Sequence, residues 1–170
     1  DEHPIFVRKV FDVASNLTNA KLEIRDFNIA FGGKKADGLY QLVKHLKNSG
    51  IRIDAVGFQC HLNVGINYNY ENLRKNIKRF TELGVEVYIT ELDVGLNLWG
   101  QGGNHKKVSD VIKSQSDWNN FFEEQNKIYY NLVKTAKESG VKLISDWGFR
   151  DGIPYGGWRK DRSEEHTSEL

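Results

Sequence analysis

Apolar positions along this chain alternate between a two-residue period and a period of three to four residues. Segments with the shorter period are rich in β-branched residues, and glycines end most of the segments with the longer one. Strands that alternate with helices in this way predict a parallel sheet with crossover helices. The four predicted strands cover residues 22–28, 53–61, 85–91 and 141–147.

Helical patterns lie between the predicted strands. The first ends at Gly50, and the second runs from about Glu71 to Gly84. The third begins after Ser116 and ends at Gly140, and another helix, over residues 5–14, precedes the first strand. A polar, glycine-rich loop around residues 99–103 follows the third strand, and a loop of this length is more often functional than not. The third helix has the most regular stripe: Trp118, Phe121, Phe122, Gln125, Tyr129, Leu132, Val133 and Ala136.

Every predicted strand ends in residues that can carry chemistry. Parallel α/β barrels build their ligand sites at the carboxyl ends of strands, and open doubly wound sheets do the same. The asymmetry therefore predicts a site at this end of the sheet and leaves barrel and open sheet as alternatives. The four strand ends are Asp26-Phe27-Asn28, Gln59-Cys60-His61, Glu91-Leu92-Asp93 and Trp147.

The third strand runs from apolar residues directly into two carboxylates. Strict alternation predicts that Val87, Ile89, Glu91 and Asp93 share one face. A carboxylate at the polar end of an otherwise apolar strand face is suited to act as a nucleophile or a general base, because its surroundings set its pKa and its orientation. A strand that simply reaches water ends in the same way, so this motif alone does not decide between the two interpretations.

The neighbouring strand ends add candidates. Alternation places Gln59 and His61 on one face and Cys60 on the other, so packing is the expected role of Cys60. A lone histidine is more often structural, but His61 beside Glu91 on the next strand favours catalysis. Trp147 among polar groups can give a sugar ring a flat apolar platform. Carboxylates, amides and an aromatic ring together are typical of a site that binds carbohydrate.

Composition excludes several classes of protein. Apolar residues make up 39% of the 170 and aromatic residues 12%, which is enough for a core. The formal charge of +1, without a basic stripe, gives no indication of nucleic acid, and no apolar run is long enough to span a bilayer. A single cysteine excludes an internal disulfide, and neither a metal-ligand spacing nor a phosphate-binding loop occurs, so we expect no metal and no other cofactor.

The two ends of the sequence shape the domain prediction. Methionine is absent, so we expect the written chain to begin within a longer protein or after processing. The last nine residues, 162–170, lack apolar periodicity and resemble the translation of a sequencing-library adapter, so they are left out of the fold prediction. The predicted domain therefore covers residues 1–161.

Taken together, the strand-end motifs resemble the second half of a glycoside hydrolase family 10 enzyme. That family comprises retaining endo-β-1,4-xylanases on a (β/α)₈ TIM barrel, and the resemblance covers about residues 6–158. It implies an α/β fold that is a partial barrel: strands five to eight with their helices, without the N-terminal half and the last helix. The markers are Asp26-Phe27-Asn28, residues 54–62, residues 89–93 and Trp147-Gly148-Phe149-Arg150-Asp151.

The same resemblance implies roles for individual residues. Glu91 would be the nucleophile, His61 would hydrogen-bond it, and Asp93 would orient His61. The acid/base glutamate would lie upstream of residue 1, so the chain alone is expected to be inactive or nearly so. The substrate would be xylan or a related β-1,4-linked polysaccharide, and the parent protein would be secreted and monomeric. The implied sugar-binding residues are Asn28, Gln59, His61, Trp147 and Tyr155.

Two departures from the family pattern accompany the resemblance. Arg25-Asp26-Phe27-Asn28 stands where the family usually has Asn-Asp-Tyr-Asn, and Tyr155 replaces a usual tryptophan.

An alternative function is a non-catalytic carbohydrate-binding domain that uses Trp147, Tyr155 and Trp158 as platforms. A complete doubly wound domain is a third interpretation, and the absence of a phosphate loop disfavours it.

Overall fold

Five parallel strands and five helices make up the part of the chain that the computed structural model describes, residues 5–96, 98 and 106–148. No helix in these ranges has the length and apolar character needed to cross a bilayer. The predicted loop around residues 99–103 and the platform residues Tyr155 and Trp158 lie outside the described ranges. In chain order the elements are α1 (Ile5–Leu17), β1 (Glu23–Asp26), α2 (Lys34–Asn48), β2 (Ala55–Phe58), β3 (His61–Asn63), α3 (Tyr70–Thr81), β4 (Glu86–Gly95), α4 (Val108–Val111), α5 (Gln115–Glu138) and β5 (Leu143–Asp146).

The long strand β4 is the centre of the sheet. Strand β2 pairs with its first half and β3 with its last three residues, while β1 flanks β2. Strand β5 pairs with the other edge of β4, and every one of these pairs is parallel. The predicted parallel sheet is therefore confirmed, and its carboxyl ends gather the strand-end motifs at one rim.

The hydrophobic core lies between one face of the sheet and the helices. Val56 and Phe58 of β2 are fully buried there, and the Phe58 ring meets Phe80 of α3 edge to face at 5.7 Å between centroids. Leu132 of α5 and Val43 of α2 join the same core at 0% exposure. Helices stacked on a parallel sheet in this way are consistent with a partial (β/α)₈ barrel.

The second predicted strand, residues 53–61, is two strands in the structure. Cys60 has a φ of 60°, in the left-handed region that an extended chain cannot pass through. The backbone therefore turns at Gln59–Cys60, and pairing resumes at His61 as β3. The sheet has five strands rather than the four predicted, because the alternation in the sequence carries no sign of this single turn.

Strand β4 contains a bulge that overturns the predicted alternation of its side chains. Ile89 pairs with Ile144 and Leu92 with Asp146, so two residues of β4 oppose one of β5. The register against β2 and β3 also shifts by one, from Phe58 opposite Ile89 to His61 opposite Asp93. An extra residue reverses the faces beyond it.

The bulge separates residues that were predicted to share a face. Val87 and Ile89 enter the core below it, and Leu92 and Val94 enter the same core above it. Glu91 instead reaches Arg25 and His61 on the polar face. The prediction that Glu91 and Asp93 lie on the side of Val87 and Ile89 is therefore wrong.

Candidate active site

His61 is held between two carboxylates at the carboxyl end of the sheet. Its Nδ1 lies 2.9 Å from Asp93 Oδ1, and its Nε2 lies 3.2 Å from Glu91 Oε2. The three side chains are 10% to 16% exposed. Because both ring nitrogens face carboxylate oxygens, the orientation of the imidazole is fixed from two sides.

Two irregularities of the backbone bring these three residues together. The turn at Cys60 starts β3 in register with the end of β4, so that His61 lies directly beside Asp93. The bulge in β4 carries Glu91 away from the core and onto the face that His61 occupies. Without the bulge the Glu91 side chain would point toward Val87 and Ile89, among apolar residues.

A cation completes the electrostatics of the site. Arg25 Nη1 lies 3.7 Å from Glu91 Oε1, the oxygen that does not contact His61. The guanidinium is itself held by Glu23, with Nε 3.0 Å from Oε1 and Nη2 3.2 Å from Oε2. Each oxygen of the Glu91 carboxylate therefore has its own partner.

Trp147 stands at the rim beside His61. The two rings meet edge to face at 5.7 Å between centroids, and the Trp147 backbone N–H donates to Leu92 O at 3.1 Å. Trp147 is 47% exposed, so much of the indole remains free to contact a ligand. An aromatic surface next to a buried carboxylate suits a pyranose ring.

Asn28 and Gln59 lie at the same end of the sheet, one at each of two neighbouring strands. Asn28 is exposed and has a φ of 55°, which asparagine tolerates better than most residues. Gln59 is partly buried, and its backbone N–H donates to Asp26 O at 3.2 Å. Neither side chain hydrogen-bonds Glu91, His61 or Asp93 within the described ranges, so a sugar-binding role for them stays a prediction.

Cys60 is packed in the core, as expected. It is 4% exposed, and burial raises the pKa of its thiol, ahead of the charge of Asp93. A buried thiol that holds its proton is a poor nucleophile. In the described part of the chain no group of three or more His, Cys, Asp and Glu side chains has the arrangement of a metal site.

Sequence reasoning gave no role to Glu23, Arg25 or Gly57. A sequence signal did exist, because Glu23 and Arg25 alternate on a strand that leads to Asp26, and alternation puts both on one face. Gly57 faces them from β2. A methyl group there would clash with Glu23 Oε1 and lie 2.8 Å from both Arg25 Cβ and Thr90 Cγ2.

Comparison with known proteins identifies the family. The sequence model described as Glycosyl hydrolase family 10 matches residues 4–168. The chain belongs to this family. Endo-1,4-beta-xylanase A of Thermoanaerobacterium saccharolyticum is 36% identical over 123 residues, which are 68% of this chain and 10% of that protein. Endo-1,4-beta-xylanase B of Thermotoga neapolitana is 34% identical over 135 residues, 78% of this chain and 34% of that protein.

Solved structures agree with the family assignment. Xylanase 10B from Thermotoga petrophila, in complex with xylobiose, superposes with a TM-score of 0.77 at 27% identity, over 95% of this chain and 45% of that one. A glycosylated endo-beta-1,4-xylanase from Gloeophyllum trabeum gives a TM-score of 0.70 at 32% identity, over 89% and 42%. The resemblance inferred from the strand-end motifs is thus confirmed, and this chain spans less than half the length of these relatives.

Proposed function

We propose that this family 10 chain carries the nucleophile side of a retaining endo-1,4-β-xylanase, with Glu91 as the nucleophile. The single observation that supports the proposal most is the arrangement Asp93–His61–Glu91, in which a carboxylate 8% exposed is aimed by an imidazole at 3.2 Å. The names of the relatives add support, since they are xylanases, and one of the similar structures holds xylobiose.

Each of the three residues takes a distinct role in the proposed reaction. His61 holds Glu91 Oε2, and Oε1, which faces Arg25 at 3.7 Å, forms the bond to the anomeric carbon. As that bond forms, the glycosidic bond breaks and the leaving oxygen takes a proton from a general acid. Water then gives a proton to the same group, which now acts as a base, attacks the anomeric carbon of the glycosyl-enzyme and releases Glu91 as a carboxylate. Asp93, at 2.9 Å from Nδ1, keeps the ring in place.

The general acid is proposed to come from another strand of the complete barrel. A retaining enzyme needs a second carboxyl group about 5–5.5 Å from the first, across the glycosidic bond. Asp93 is bound to His61 and shares a strand and a face with Glu91, so it approaches a sugar from the same side. On this proposal β1, β2, β4 and β5 are strands five to eight, and the acid/base glutamate lies on a strand that precedes them.

The substrate is proposed to be xylan or a related β-1,4-linked polysaccharide. Trp147 offers an exposed ring beside His61, and Asn28 and Gln59 lie on the same rim. We assign these three residues to the sugar site next to the scissile bond, and we count His61 and Tyr155 among the substrate-binding residues.

Hydrolysis by the chain and by its Glu91→Gln variant tests this function. The chain is expected to cleave an activated aryl β-xyloside slowly and xylan hardly at all, because only the first has a leaving group that needs no acid. Glu91→Gln is expected to abolish even the slow reaction. Full aryl xyloside turnover by Glu91→Gln would contradict the nucleophile assignment, and rapid xylan turnover by the chain alone would contradict the missing acid.

A further inference from the structure

Arg25 lies between the proposed nucleophile and a second carboxylate that holds it in place. We propose that Arg25 is a positioning residue for Glu91: its charge, anchored by Glu23, stabilises the Glu91 carboxylate and fixes its Oε1. This inference rests on the proposed function, in which Glu91 attacks the sugar. No role for Arg25 follows from the family pattern, which has asparagine at this position.

The guanidinium is oriented by two contacts to one carboxylate. Glu23 accepts from Nη2 at 3.2 Å and lies 3.0 Å from Nε, so the fork is held along the strand. Its remaining nitrogen, Nη1, is then directed to Glu91 Oε1 at 3.7 Å. Arginine suits this arrangement because its planar fork presents donors in several fixed directions.

Space for this pair is made by Gly57 on the neighbouring strand. Arg25 pairs with Gly57, and Gly57 pairs with Tyr88. A Cβ at residue 57 would overlap Glu23 Oε1 and approach Arg25 Cβ to 2.8 Å. The glycine therefore lets the Glu23–Arg25 pair lie flat against the polar face of the sheet.

Charge balance gives the cation its function. The carboxylates of Asp93 and Glu23 lie on the two groups that contact Glu91, His61 and Arg25. Among the lysine and arginine side chains of the described ranges, Arg25 forms an ion pair with Glu91. In the proposed reaction the negative charge leaves Glu91 when the glycosyl-enzyme forms and returns when water displaces the sugar. A cation held at 3.7 Å attracts Oε1 and holds it in position before attack, and it stabilises the charge that returns when water displaces the sugar.

A double-mutant cycle tests the contact without any substrate. Unfolding by urea is measured for the chain, Arg25→Met, Glu91→Gln and the double variant. The cycle is expected to give a favourable coupling of about two- to fivefold in the unfolding equilibrium constant, since Arg25 is half exposed. Lys35→Met with Glu91→Gln is the matched control and should be additive, because Lys35 pairs with Asp26 instead. Zero coupling between Arg25 and Glu91 would overturn the inference.

Covalent labelling by an activated 2-deoxy-2-fluoro-β-xyloside tests the effect on chemistry. Arg25→Met is expected to label roughly three- to tenfold more slowly than the chain, because Oε1 is no longer held in position. Arg25→Lys, which keeps the charge but lacks the fork that Glu23 holds, should recover part of the rate. Equal rates for the chain and Arg25→Met, or equally slow rates for Arg25→Met and Arg25→Lys, would overturn the inference. An unlabelled wild-type chain would refute the proposed function instead, and the unfolding cycle would still decide the role of Arg25.

Discussion

At the residue scale, Asp93 orients the imidazole of His61 toward Glu91. Asp93→Asn keeps the shape of the side chain and loses its charge. A hydrogen bond to a charged group contributes about 1.5–3 kcal/mol, so covalent labelling by the fluoroxyloside is expected to slow by roughly ten- to hundredfold. The control is Asp110→Asn, an exposed carboxylate in the first turn of α4. Unchanged labelling of Asp93→Asn would show that the ring is held without it.

Gly57 offers a second test at this scale, on stability. Gly57→Ala forces a methyl group against Glu23 and to within 2.8 Å of Arg25 Cβ and Thr90 Cγ2. Overpacking of this kind is expected to cost about 1–3 kcal/mol of unfolding free energy in urea denaturation. Gly38→Ala is the control, since it lies in α2 with nothing within 4 Å and should stabilise the chain by about 0.5–1 kcal/mol. Equal effects of the two changes would contradict the packing described.

Sequence alone predicted which residues meet at the site and missed how they meet. His61, Glu91 and Asp93 were expected together, because parallel strands bring their carboxyl ends to one rim. The face of Glu91 was wrong, since the residue that adds a bulge has no distinctive side chain. Arg25 received no role because a charged residue on a strand is most often simply solvated.

At the element scale, α3 secures the loop that follows β1. Asn76 is 3% exposed and donates from Nδ2 to Ile29 O at 2.8 Å and to Ala30 O at 3.0 Å. Asn76→Ala leaves both carbonyls without this partner, and we expect a loss of about 1–3 kcal/mol in the free energy of unfolding. Asn72→Ala, exposed on the same helix, should change stability little. A comparable loss for both variants would contradict an anchoring role.

The amino end of β4 gives a pH dependence. Lys21 donates to Glu86 Oε2 at 2.6 Å and Tyr88 donates to the same oxygen at 2.5 Å, and these two hydrogen bonds, Lys21 first, lower the pKa of Glu86. A lowered pKa means that the contribution is present above the unfolded pKa of glutamate, about 4.3, and is lost as the pH falls through the folded value.

The expected result is a stability difference that closes in acid. Glu86→Gln should be less stable than the chain at pH 7, and the gap should shrink below about pH 4. Urea denaturation across this range provides the measurement, with Glu123→Gln, a highly exposed residue of α5, as the control. A stability difference that widens on acidification would contradict a lowered pKa of Glu86.

Elements with strong periodicity were predicted best. The helix expected between Ser116 and Gly140 is α5, Gln115–Glu138, because its apolar stripe is long and regular. Strand limits were less accurate: β4 continues to Gly95, and the short helix α4 was not expected. Pairing with a neighbour, rather than side-chain pattern, sets where a strand stops.

At the scale of the whole molecule, helix α1 leaves an apolar face uncovered by the described residues. Phe6, Val10, Val13 and Leu17 recur at helical spacing and are 58% to 79% exposed. Strand β5 similarly exposes Leu143 at 48% and Ile144 at 38%. Patches of this kind favour association in water.

The isolated chain is therefore expected to self-associate as its concentration rises. Sedimentation velocity measures this directly, and Val10→Lys combined with Val13→Glu on α1 should shift the population toward monomer because it places charge on the exposed face. Tyr130→Lys, at another exposed position on α5, is the control. A chain that remains monomeric at high concentration would contradict this account of the uncovered face.

The nucleophile assignment is tested by peptide mapping after reaction with an activated 2-deoxy-2-fluoro-β-xyloside, because the labelled peptide shows which residue has bonded to the anomeric carbon. One fluoroxylosyl group is expected on the peptide that contains Glu91, and none on Glu91→Gln. Label on a different carboxylate, or the same label on Glu91→Gln, would contradict the assignment.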